Sequence, residues 1–153
     1  MDRATIEEYV FGSILLLSNK MQVWGDEILE DLTLKQWFLL VLISKMDSLN
    51  PTINEVSSFS GTSRQNTRKI LEQLEQKKFV RIKKSKTDSR ALNVTLLNKT
   101  HEFFNQFDKK GKEKLNHLFL NVSDEELLNA HKMFDKLHVF FGNPTLNEKE
   151  SNK

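Results

Sequence analysis

Cysteine is absent, so the chain can form no disulfide and can carry no sensing chemistry based on a thiolate. No apolar run approaches the roughly 20 residues that a membrane span requires. The first residues, MDRATIEEY, are acidic and polar where a secretory leader would be basic and then apolar. A cytoplasmic protein with no membrane association is therefore expected. Internal repeats and low-complexity tracts are missing. There is also no nucleophile elbow, P-loop, metal-hydrolase motif or dinucleotide fingerprint. Carboxylates are scattered over helix faces and are not paired in a glycine-rich loop, so neither an enzyme nor a cofactor is expected.

What the 153 residues do contain is a polarised charge distribution. The formal net charge is only +2, yet the window from Gly61 to Arg90 holds ten basic residues against three acidic ones. The remainder has thirteen basic and eighteen acidic residues, so a strongly cationic segment sits on an anionic body. That segment lies inside the stretch Thr52 to Leu96. It parses as a short helix, a turn at Gly61, a longer helix, and two strands joined by a basic loop. A helix-turn-helix followed by a β-hairpin wing is a DNA-binding layout.

The chain length fits one domain, or one small domain with accessory helices. Thr5 and Glu8 have capping-box spacing for a first helix, and Gly25 is expected to fray or end it. Its apolar positions Ile6, Val10, Ile14, Leu17, Met21, Trp24 and Ile28 step by three or four residues. Both a core helix with a broad apolar face and a dimer seam fit that pattern. Thr33 and Gln36 cap a second helix, apolar almost all round from Trp37 to Ile43, which is expected as the central scaffold. Asn50-Pro51 breaks the chain, Thr52 and Glu55 cap the next helix, and Thr62 and Gln65 are expected to cap the one after it. Phe79 to Lys83 and Ala91 to Leu96 read as strands. A helix from Asn98 or Thr100 and a last one capped by Ser123 and Glu126 complete the order. Seven of the eleven Phe residues follow position 100, which suggests a partner surface.

At about 100° per residue, Ser63, Thr67, Ile70, Leu71 and Leu74 share the face of the reading helix that packs inward. Gln65, Arg68 and Lys69 point away, flanked by Arg64 and Asn66. Arginine can bond guanine bidentately and Gln or Asn can do so with adenine. Thr62, Ser63 and Lys69 suit phosphate contacts that set register. Lys84, Lys86 and Arg90 in the wing suit the minor groove or its flanking phosphates, with Asp88 placed to hold the Arg90 side chain extended.

These residues resemble the MarR family of winged-helix transcriptional regulators. The resemblance rests on Leu32-Thr33-Leu34-Lys35-Gln36-Trp37, Ser63-Arg64-Gln65-Asn66-Thr67, Leu74-Glu75, Phe79-Val80 and Asp88-Ser89-Arg90, and extends over about residues 5–141. Lys78 stands where family members often carry Gly, which requires a positive φ at lysine. Leu96-Leu97 and Thr100 replace the usual Leu-Thr and nearby Gly. The resemblance implies a mainly α (α+β) fold: a winged helix-turn-helix at 32–97 with a two-stranded wing. Residues 1–31 and 98–142 would form a helical dimerisation region, with a disordered tail at 143–153. It further implies a homodimer on double-stranded DNA, most simply a repressor at a pseudo-palindromic operator. Many members bind small aromatic anions in a crevice between the dimer helices and the winged helix; Trp24, Trp37 and the Phe cluster could line such a crevice, although aromatics at helical spacing are more often core.

Two other readings deserve comparison. His131, Asp135 and His138 share a helix face and could present metal ligands, but no second cluster supports them and packed histidines fit better. A winged helix acting as a protein-interaction module, without reading DNA, is the alternative function. Salt-dependent duplex binding separates the two.

Overall fold

The computed structural model describes residues 1–142. The chain forms α1 (Arg3–Leu29), α2 (Leu34–Lys45), α3 (Ile53–Ser60), α4 (Arg64–Gln76), β1 (Val80–Lys84), β2 (Leu92–Leu96), α5 (Asn98–Leu118) and α6 (Asp124–Phe140). The strands pair antiparallel, with Val80 opposite Leu96, Ile82 opposite Val94 and Lys84 opposite Leu92. Among the described residues no helix is long and apolar enough to cross a membrane. The expected tail at 143–153 lies outside the described residues.

Local signals set most boundaries. Thr33 with Gln36, Thr52 with Glu55 and Ser123 with Glu126 each form a reciprocal capping box, which satisfies amide groups that the first helical turn leaves without acceptors. Gly61 ends α3 with φ +68°, a conformation that glycine adopts without a Cβ penalty. Lys78 does take the positive φ, +65°. The Phe79 amide then bonds the Leu74 carbonyl at 2.9 Å and the Lys78 amide bonds that of Glu75 at 2.9 Å, closing a Schellman motif. Leu74 and Phe79, the apolar pair of that motif, are both fully buried.

Three local expectations are corrected. The cap of α1 is Asp2, whose carboxylate accepts from the Thr5 amide. Gly25 does not end α1; it is buried inside it, and a Cβ there would lie 2.7 Å from Leu34 Cδ1, so the glycine permits close helix contact. The cap of α4 is Ser63, accepting from Asn66. Thr62, one residue earlier, is held by the Ser60 and Thr67 hydroxyls at 3.0 and 2.7 Å. Ser63 is consequently exposed, not packed inward.

The core surrounds α2. Leu39, Leu40 and Ile43 meet Val56 of α3, Leu71 and Leu74 of α4, and Phe79, Val80 and Val94 at the wing's base. Burying each side chain of this size contributes about 1.5–3 kcal/mol. Only part of α5 joins this core. Phe103 meets Phe79 edge-on at 5.8 Å and stacks on Phe107 at 5.7 Å, and Phe107 meets Trp37 at 6.2 Å. Those phenylalanines, expected on a partner surface, are therefore spent inside the chain. By contrast α6 buries none of its residues. Phe140 is 81% exposed and Tyr9 on α1 is 73% exposed.

Candidate nucleic-acid interface

The N-terminal turn of α4 is built to face outward. Thr67, fully buried, and Leu71 and Leu74 fix the inner face. Helical periodicity then directs Gln65, Arg68 and Lys69 to solvent. Ser63, Gln65, Asn66, Arg68, Lys69 and Glu72 line one shallow depression of about 390 Å³. Ser63 occupies the amide of Asn66, which leaves the amides of Arg64 and Gln65 without an acceptor inside the helix. That end also carries the positive pole of the helix dipole, which favours phosphate.

The wing is tied to this helix from several sides. The Glu75 carboxylate accepts from the Ile82 amide at 2.7 Å, linking α4 to β1. The Phe79 carbonyl accepts from the Thr100 hydroxyl at 2.5 Å and from the Leu97 amide at 2.9 Å, so α5 holds the base of the hairpin. On the other edge, Asn50 accepts from Asn93 and Thr95 at 2.6 and 2.5 Å. Beneath α4, buried Gln36 donates to Gln73 at 3.0 Å and accepts from Lys77 at 3.0 Å, while Lys77 also donates to the Asp31 carbonyl at 2.7 Å. Sequence reasoning missed Glu75, Gln73 and Lys77 as positioning groups, because the partner of Glu75 lies across a turn in the next element and those of Gln73 and Lys77 lie far along the chain.

Every candidate contact residue is exposed: Thr62, Ser63, Arg64, Gln65, Asn66, Arg68 and Lys69 around the helix start, and Lys84, Lys86, Asp88 and Arg90 in the wing. Lys84 ends β1 and does not sit in the loop. Asp88 accepts from the backbone amide of Arg90 at 2.9 Å, shaping the turn; it makes no bond to the Arg90 guanidinium. Arg68 is engaged by its own helix, its Nε lying 2.8 Å from Glu72 Oε1. On α6, His131 Nδ1 lies 3.3 Å from Asp135 Oδ2. No trio of His, Cys, Asp or Glu among the described residues is grouped to hold a metal.

A family model described as MarR family matches residues 30–91, which run from the α1–α2 turn through the wing loop. Over those residues, about two fifths of its length, the chain is similar to the MarR family. No curated protein sequence matches it. The fold agrees with solved structures at low identity. A mutant MarR from E. coli complexed with operator DNA superposes with TM-score 0.75 at 18% identity, covering 90% of this chain and 99% of that one. A MepR–DNA complex from S. aureus gives 0.70 at 22%, covering 88% and 96%. The organohalide-sensing regulator RdhR in its 2,4-dichlorophenol-bound form gives 0.77 at 13%, covering 88% and 80%. The MarR-family match ends at the wing, so the flanking helices agree with the family through the fold alone.

A second feature lies beside the winged helix. Trp24, Ile28, Leu34, Trp37, Phe104, Phe107 and Leu115 line a largely apolar cleft of about 380 Å³ between α1, α2 and α5. Asp108, Lys112 and Lys114 also border it, and Lys112 pairs with Asp108 at 2.8 Å.

Proposed function

We propose that the chain is a cytoplasmic, homodimeric repressor that reads a pseudo-palindromic operator, with residues 32–97 as the DNA-binding region and 1–31 with 98–142 as the dimerisation region. The observation that carries this reading is the combination of an exposed cationic helix start with helices α1 and α6 that leave their apolar faces uncovered. A two-fold arrangement would cover those faces and set two reading helices side by side. Arg64, Gln65, Asn66 and Arg68 read base edges. Thr62, Ser63 and Lys69 hold phosphates, and Lys84, Lys86 and Arg90 reach the neighbouring minor groove, on a turn set by Asp88.

A small aromatic or anionic ligand releases the operator by occupying the cleft between α1, α2 and α5. Support comes from the cleft's apolar walls with adjoining lysines and from the phenol-bound state of the similar RdhR structure. Two experiments test these readings. Duplex affinity should fall roughly a thousandfold or more between about 50 and about 200 mM salt; a protein-interaction module would show no such dependence. In a panel of phenolic anions, at least one should raise the melting temperature and weaken operator binding. Absence of both effects across the panel removes the effector from the account.

A further inference from the structure

The reading face of α4 carries one carboxylate, Glu72, in a depression otherwise lined by neutral and basic side chains. An anion there opposes the phosphates of a bound duplex, so its presence needs a cause. Helix stabilisation explains it poorly. The pair with Arg68 is exposed on both sides, at 55% and 51%, and it runs with the basic residue N-terminal to the acidic one, the weaker order for an i,i+4 pair. The geometry offers a better cause. Glu72 Oε1 takes the Nε–H of Arg68 at 2.8 Å. A guanidinium carries five donors in a rigid fork, so this bond leaves Nη1 and Nη2 for a partner outside the chain. Two donors at the end of a held side chain match the O6 and N7 acceptors of guanine in the major groove. An untethered arginine would instead be free to follow the nearest phosphate.

We propose that Glu72 is a positioning residue for base reading: it holds Arg68 by its Nε edge and aims the two Nη groups at guanine. The proposal rests on the DNA-reading role of α4 given above. Glu72 thus lowers affinity for DNA in general and raises discrimination at one base pair in each half-site. The same contact lets the chain distinguish a guanine-bearing operator from bulk DNA of equal charge.

The test compares the full-length wild type, Glu72→Ala, Arg68→Ala and the double variant. Each is put through selection from a random duplex pool, followed by titration against the selected duplex and against mixed-sequence DNA. Both side chains are exposed, and unchanged melting temperatures confirm that each variant folds. Wild type should show a guanine preference at one position per half-site that Arg68→Ala removes. Glu72→Ala, which removes both the charge and the acceptor, should bind mixed-sequence DNA more tightly, yet lose about fivefold or more of that preference. The double variant should discriminate no worse at that position than Arg68→Ala, since one interaction is removed by either change. A Glu72→Ala profile identical to wild type overturns the proposal while leaving DNA reading intact. So does an altered preference at a position that Arg68→Ala leaves unaffected, which would make Glu72 a direct reader of cytosine. A wild type with no sequence preference overturns the DNA-reading role itself.

Discussion

Lys78 holds φ at +65° at the point where α4 gives way to the wing, and replacing it with glycine should stabilise the protein. A non-glycine L residue in the left-handed region carries about 1–2 kcal/mol of steric strain. Glycine relieves that strain but makes the unfolded chain freer by about 0.5–1 kcal/mol. The difference favours Lys78→Gly by about 0.5–1 kcal/mol. For a chain of this size that corresponds to a rise in melting temperature of about 1–4 °C, measured at one fixed protein concentration because association shifts melting too. Lys78→Ala is the control: it removes the same side chain and keeps the strained backbone, so its stability should stay within about 0.5 kcal/mol of wild type. If the two variants melt together, or if glycine melts lower, the Schellman geometry does not store the strain argued for it.

Other consequences concern the interface and the cleft. Arg68→Ala should cost roughly 1–3 kcal/mol on the preferred operator and relax one base position, whereas Lys84→Ala should weaken all duplexes alike and reduce the salt slope by about 1, both measurable by titration. Gly25→Ala should destabilise by about 1–3 kcal/mol, because the new methyl would lie 2.9 Å from Leu34 Cβ; chemical denaturation reads this directly. Glu55 is held below the ordinary glutamate value of 4.5, first by the Thr52 amide and then by its hydroxyl. Its folded value lies below its unfolded one, so its contribution is complete above 4.5 and is lost as the pH falls through the folded value. Glu55→Gln, which can keep the cap without titrating, should flatten the acid limb of a stability-against-pH curve.

Much of the fold was legible because its signals are local. Three capping boxes, the Gly61 turn and the positive φ at Lys78 each depend on residues within a few positions of one another. The corrections arise where distant partners decide. Gly25 resembles a helix terminator until Leu34 is packed against it. Thr62 and Ser63 are adjacent hydroxyl residues, either able to cap α4, and buried Thr67 draws Thr62 away and leaves the cap to Ser63. Among the phenylalanines after position 100, Phe103 and Phe107 reach Phe79 and Trp37 while Phe140 and Phe141 meet each other; periodicity does not separate a core from an interface. At the reading face, the outward set followed from helical geometry. The engagement of Arg68 by Glu72 was not legible in the same way, since an i,i+4 spacing permits a bond without requiring one.

The arrangement of two winged helices on one duplex is tested most directly by selecting bound sequences from a random duplex pool. The account predicts an inverted repeat whose half-site centres lie about 10 base pairs apart, one turn of the helix. Enrichment of a single asymmetric half-site, or of no sequence at all, would contradict it.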